Sequence, residues 1–276
     1  MSTTSQPTVS HAISRDGTEI GYFTRGDGPP VLLVHGAGAD HTRWGALGPY
    51  LEPHVTVHAM DRRGRGASGD HPDYSIEREY EDVAAVVDDI AEASGARVIV
   101  YGHSSGGIYA FGAALLTANI DRLVAYEGWP PTTADLWNGP PGLIERLEAL
   151  LQAGERERAL ETVARELGGL SEEELDAYRA DPSWAARVAV IHTFPREERA
   201  AVETAFDREH AASITVPTLL VVGDQSPASW RADAGSVAAA LPDARIIVLE
   251  GQGHGADILA PEMFARHLLG FICEPT

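Results

Sequence analysis

The sequence predicts an α/β fold, with a mostly parallel eight-stranded sheet, helices on both faces and an inserted helical cap. Three observations lead there. Apolar runs of four to six residues alternate with longer helical patterns, as in strands joined by crossover helices. The runs are β-branched and end in Gly or charged loops, as strands buried on both faces do. One stretch near the middle, about ninety residues long and without a convincing strand, is too long for a crossover and reads as an insertion.

Taken in order, the expected strands are Val9–Ile13, Ile20–Thr24, Val31–Val34, Val55–Ala59, Val98–Tyr101, Leu123–Tyr126, Thr218–Val222 and Ile246–Leu249. Asp16-Gly17 between the first two signals a two-residue hairpin turn. The segment from Ile76 to Ala93 carries an apolar stripe at helical spacing, with its acids expected on the opposite face. Ser105 to Leu116 is small and apolar nearly all round, which predicts burial against the sheet. Trp230–Leu241 and Pro261–Phe271 read as covering helices, the second with Pro in its first turn. In the insertion, helical patterns run over Leu143–Ala153, Arg156–Leu167, Ser171–Arg179 and Arg196–His210, their charges reading as solvated faces. The organisation expected is residues 1–131 as the first part of the core, 132–213 as the cap and 214–276 as the second part.

Composition excludes several chemistries. The chain has 276 residues, ample for a sizeable core. Its 41 acidic residues against 21 basic ones give a net charge of -20, a field that repels nucleic acid and anionic membrane. Every basic residue is arginine. Without lysine there is no Schiff base and no P-loop. The lone Cys273 forms no disulfide framework or cysteine metal cluster, and the histidines show no metal-ligand spacing. Neither a metal nor a cofactor is expected. The polar start has no secretory pattern and no apolar run is long enough to span a bilayer, so a cytoplasmic location is expected.

Three local motifs carry chemistry. Gly102-His103-Ser104-Ser105-Gly106 follows an apolar strand and opens an apolar helix, the context of a nucleophile elbow. Ser104 then projects at a helix N-terminus, whose partial positive charge favours an oxyanion. Val31 to Gly38 is a buried strand ending in a Gly-rich turn. The two N–H donors an acyl-transfer site needs are expected from Ser105 and Ala37. Gly251-Gln252-Gly253-His254-Gly255 places a histidine in a short loop after the last strand, suited to a general base for Ser104. His35 reads as ordering its own loop through backbone hydrogen bonds. His103, Gly36 and Trp129 are the residues expected beside the substrate.

Together these motifs resemble the α/β-hydrolase superfamily over nearly the whole chain. Asp61-Arg62-Arg63-Gly64-Arg65-Gly66-Ala67-Ser68 matches a D-x-x-G-x-G-x-S turn that braces the sheet in that family, and it reads as structural. The acid that orients the histidine is less settled. The family's usual place, just past the seventh strand, holds Asp224 followed by Gln225 and Ser226, so the turn departs from the common pattern. Some branches instead carry a glutamate at the end of the sixth strand, where this chain has Glu127. A glutamate that ends an apolar strand is buried and needs a partner such as an imidazolium. This favours Glu127, with Asp224 as the alternative.

The resemblance implies a serine hydrolase that cleaves a carboxylic ester or lactone of a medium-sized, largely apolar small molecule through an acyl-enzyme. Cofactor-free perhydrolase or haloperoxidase chemistry and C–C bond hydrolysis remain open. So does a different class, a small-molecule receptor on the same fold. The expected partner is the small molecule alone, without nucleic acid or membrane, and the chain is expected as a monomer or homodimer.

Overall fold

The computed structural model describes residues 7–130, 140–167, 170, 172–203 and 208–274. Ser171 and the predicted junction at 131–132 lie outside the described residues.

The strands are β1 (Thr8–Ile13), β2 (Glu19–Arg25), β3 (Pro30–Val34), β4 (Thr56–Met60), β5 (Val98–His103), β6 (Ile120–Tyr126), β7 (Thr218–Gly223) and β8 (Ala244–Leu249). They form one sheet in the order β1-β2-β4-β3-β5-β6-β7-β8. β1 and β2, and β2 and β4, are antiparallel; the remaining pairs are parallel. The helices are α1 (Gly48–Leu51), α2 (Ile76–Ser94), α3 (Ser105–Ala113), α4 (Leu143–Gln152), α5 (Arg156–Glu166), α6 (Glu172–Ala180), α7 (Trp184–Val190), α8 (Phe194–Glu203), α9 (Arg208–Ser213), α10 (Ala228–Ala238), α11 (Ala256–Leu259) and α12 (Pro261–Ile272).

The period of two along each strand makes two cores. Leu32, Val34, Val98, Val100, Leu123, Ala125 and Leu220 point to one face, where α2, α3 and α10 cover them. Val31, Leu33, Ile99, Tyr101, Val124, Tyr126, Leu219 and Val221 point to the other, beneath α1 and α12. Between β6 and β7, helices α4 to α9 replace a crossover. Leu143, Leu147, Leu160, Ile191 and Phe194 give this helical layer a small core of its own, against which Ala37 packs.

Four expectations are corrected. The first hairpin turns through residues 14–18 between paired Ile13 and Glu19, longer than two residues; Asp16 accepts from the Thr18 N–H and from Arg63. The acids of α2 do not all face water: Glu79 and Asp82 are fully buried, because each meets an arginine of the 61–68 turn. Glu197 and Glu198 on α8 are likewise buried rather than solvated; residues 204–207 of the predicted Arg196–His210 helix lie outside the described residues. β8 is an edge strand that leaves Ile246 and Val248 exposed, so it is not covered on both faces.

His58 on β4 links this packing to pH. Its Nδ1 lies 3.0 Å from Thr24 Oγ1, and burial pushes its pKa down from 6.5 to about 4. Between those values the unfolded chain takes up a proton that the native state refuses. Native stability therefore falls as pH drops through 6.5 towards 4, by about 2–3 kcal/mol from this group at pH 4.5. Urea unfolding of wild type and His58→Gln at pH 7 and pH 4.5 checks this. The variant should lose less stability on acidification by about that amount; equal losses contradict it.

Candidate active site

Tight packing around one serine builds the site. β5 runs through the centre of the sheet, and α3 starts two residues past its last residue, His103. The chain reverses at Ser104, which sits at φ 54°. Among the described residues only Ser104 and Glu127 combine a side chain with positive φ. Such backbone strain persists only where the surroundings over-determine it. Two glycines make the reversal possible. A Cβ on Gly36 would lie 2.8 Å from the Ser104 Cβ, and one on Gly106 would strike the carbonyl oxygens of Val34 and His35.

The loop after β3 is thereby pressed against Ser104. Its histidine is consumed in holding it. His35 Nδ1 donates to the Gly36 carbonyl at 2.8 Å, and Nε2 accepts from the Arg62 N–H at 3.3 Å. Burial and the nearby Arg65 and Arg62 charges hold its pKa well below the ordinary value, so the ring is neutral and this donor–acceptor arrangement is stable. Ala37 follows on the same loop, and Ser105 opens α3, where the first backbone N–H groups have no helical carbonyl to serve.

The structure brings Glu127 and His254 together. Glu127 follows the last residue of β6, and its backbone N–H donates to Val221 O at 3.0 Å. Its side chain is fully buried. Oε1 accepts from the Gly223 N–H at 2.8 Å, and Oε2 lies 2.7 Å from His254 Nδ1. Asp224 has another task. Its Oδ1 accepts from the Gly251 N–H at 2.8 Å and from the Gln225 amide at 2.9 Å, which fastens the turn after β8.

The histidine loop is tied from below by groups that the sequence did not single out. The Tyr126 hydroxyl donates to the Gly253 carbonyl and accepts from the Ala256 N–H at 3.0 Å. Trp230 stands edge-on to the His254 ring, with centroids 5.2 Å apart. Tyr126 is one apolar residue of a strand, and only the fold reveals that its tip reaches the loop. His103 is buried, with its ring against that of His254, and its Nε2 faces the His254 carbonyl rather than open space. Trp129 is half-buried against the α2/α3 core.

The helical layer is joined to this rim by charge. Glu197 of α8 accepts from Arg62 at 3.0 Å and from Arg65, which also donates to Thr193 at 2.7 Å and to the Arg63 carbonyl at 3.1 Å. Arg62 also pairs with Glu79 at 2.6 Å, and Arg63 with Asp82 at 2.6 Å. Burial raises the Glu197 pKa, but Arg62 and Arg65 outweigh it and hold the carboxyl below its ordinary range. Its neighbour Glu198 is pushed up to about 8 by burial and by Glu197. Asp40, His41 and Asp61 converge nearby, but as a turn brace. Asp61 accepts from the His41 and Ala67 N–H groups, both at 2.8 Å, and Asp40 caps Thr42.

A wound parallel sheet, a strained serine between strand and helix, and a carboxylate–imidazole pair on the same rim define a class, the hydrolytic enzymes built on an α/β sheet. The pattern of the alpha/beta hydrolase family matches residues 31–267, and the chain belongs to that family. It is similar to an alpha/beta hydrolase of Sphaerobacter thermophilus, with 36% identity, TM-score 0.80, and 95% of this chain and 100% of the other covered. A hydrolase of Pseudomonas aeruginosa gives 28% identity and TM-score 0.76 over 97% of this chain and 99% of the other. The pimeloyl-[acyl-carrier protein] methyl ester esterase of Yersinia pseudotuberculosis is 27% identical over 264 residues, covering 93% of this chain and 98% of its own. The protein is thus an ester-hydrolase relative. Among the described residues no helix is long and apolar enough to cross a membrane.

Proposed function

We propose that the protein hydrolyses a carboxylic ester or lactone of a medium-sized, largely apolar molecule through an acyl-enzyme on Ser104. The observation that carries this reading is the Glu127–His254 hydrogen bond of 2.7 Å at the rim where Ser104 turns. A carboxylate on Nδ1 fixes the tautomer in which Nε2 is unprotonated and basic. His254 Nε2 takes the Ser104 proton as Oγ attacks the carbonyl carbon. The N–H groups of Ser105 and Ala37 hold the oxyanion that forms. Collapse expels the alcohol, which leaves with the proton from His254. Water then attacks the acyl group and gives its proton to His254, and as the second tetrahedral intermediate collapses to the acid, His254 returns that proton to the departing Ser104 Oγ.

The helical layer supports the substrate class. Ala37 packs on the cluster of Leu143, Leu147, Ile191 and Phe194, so an acyl or alcohol group beside the oxyanion loop meets apolar side chains. The similarity to a methyl ester esterase favours ester over C–C cleavage. Stopped-flow hydrolysis of p-nitrophenyl butyrate, with a panel of lactones alongside, tests the reading. One equivalent of p-nitrophenol should appear in a burst, and Ser104→Ala should show none. Tight binding of esters without any turnover would instead make the chain a receptor.

A further inference from the structure

The base must be held over the elbow, and the Tyr126 tie leaves the residues beyond Ala256 unexplained. Asp257 stands three residues past His254 and is 1% exposed. Arg43, in the turn after the Ala37 loop, places a single nitrogen, Nη2, 2.8 Å from both Asp257 oxygens. That same nitrogen lies 3.1 Å from His103 Nε2, and His103 Nε2 lies 2.9 Å from the His254 carbonyl oxygen. Tyr101 approaches Asp257 from beneath at 3.5 Å.

We propose that Arg43, Asp257 and His103 are positioning residues that lock the three loops of the site together and set the place of His254 relative to Ser104. This rests on the reading of His254 as the base. Arg43 comes from the segment after the oxyanion loop, His103 adjoins Ser104, and Asp257 belongs to the histidine's own turn. One guanidinium nitrogen therefore reaches from its own segment to the other two. The His103 tautomer follows from counting donors. The buried Nδ1 has no hydrogen-bond partner among the described residues, and an orphaned donor is rarer in folded proteins than an orphaned acceptor. The proton is therefore on Nε2, which donates to the His254 carbonyl, so the guanidinium donates to Asp257 and stands beside His103 as a neighbouring charge rather than a hydrogen-bond partner. Arg43 contributes by keeping the ring uncharged: burial, then the Arg43 and His254 charges, hold its pKa well below the ordinary value. A buried ion pair does not by itself favour stability over an apolar replacement, whereas a placement role is a use for one.

The experiment compares His103→Leu, His103→Gln, Asp257→Asn and Arg43→Gln for kcat and KM on p-nitrophenyl butyrate, with thermal midpoints measured in parallel. A misplacement of the base of around 1 Å is worth up to about a hundredfold in rate. Asp257→Asn and His103→Leu should lower kcat by about ten- to a hundredfold with KM within about twofold. His103→Gln, whose amide N–H reaches the same carbonyl, should recover most of that loss, which no general loss of stability reproduces. His103→Leu introduces no charge and keeps the test open if Asp257→Asn or Arg43→Gln fails to fold. If His103→Leu and His103→Gln behave alike, or if only the midpoints move, the positioning role is wrong. His254→Ala separates the two readings. Should it abolish turnover while the other variants stay at wild-type kcat, only the positioning role fails; should it retain turnover, the base assignment fails first.

Discussion

Glu127→Gln should leave the protein folded and lower ester kcat by about 10³–10⁴-fold, while Asp224→Asn changes it by less than about fivefold. The contrast follows from what each carboxylate touches. Glu127 offers one oxygen to His254 Nδ1 and the other to the Gly223 N–H. Glutamine keeps the volume, but with its carbonyl on Gly223 it presents an NH₂ to the imidazole. That stabilises the tautomer with the proton on Nε2, where the ring cannot accept from Ser104. It also removes the charge that steadies the imidazolium in the transition state. Asp224 only fastens a turn through the Gly251 N–H, and asparagine's carbonyl replaces that bond. Steady-state kinetics on one ester, with circular dichroism to verify folding, reads both variants. Comparable losses in the two, or the reverse order, contradict the assignment of the acid.

Glu197→Ala should destabilise the protein by about 3–5 kcal/mol, the range for breaking a buried pair on one side. The cost falls mainly on Arg65. Arg62 retains Glu79 at 2.6 Å, but Arg65 is left with Thr193 and the Arg63 carbonyl. Arg65 is 2% exposed, so its charge has no water to turn to. For a chain of this size the thermal midpoint should fall by about 10 °C. Replacing both ends, Arg65→Met with Glu197→Leu, should return much of that loss, because neither charge is then stranded. A double variant as unstable as the sum of the singles would show that the two groups act independently.

Both predictions concern residues whose roles were unequally legible in the sequence. The elbow could be read because it is local: a strand, five residues and a helix declare the strained turn at Ser104. The eight strands were legible for the same reason, each an apolar run of its own. Glu127 was readable through the resemblance to branches with a glutamate at the end of the sixth strand and through an energetic argument, that a carboxylate ending an apolar strand must find a cation. The charged seam was not readable. Glu79 and Asp82 are 17 and 19 residues from the arginines they meet, and Glu197 is more than 130 away. A helical acid beside an apolar stripe looks the same whether it faces water or a buried guanidinium. The Asp16-Gly17 turn went astray similarly, since Asp16 is drawn to Arg63 across the sheet. Tyr126 and Asp257 were hidden because their tasks depend on which loop lies opposite, and no periodicity encodes that.

The most direct test of the acyl-enzyme account is covalent labelling. The protein is incubated with a fluorophosphonate at pH 7.5, digested, and the modified peptide sequenced by mass spectrometry. The account predicts a single adduct on Ser104, formed at least about 10³-fold more slowly in His254→Ala. An adduct on another residue, or labelling of Ser104 at an unchanged rate without His254, contradicts it.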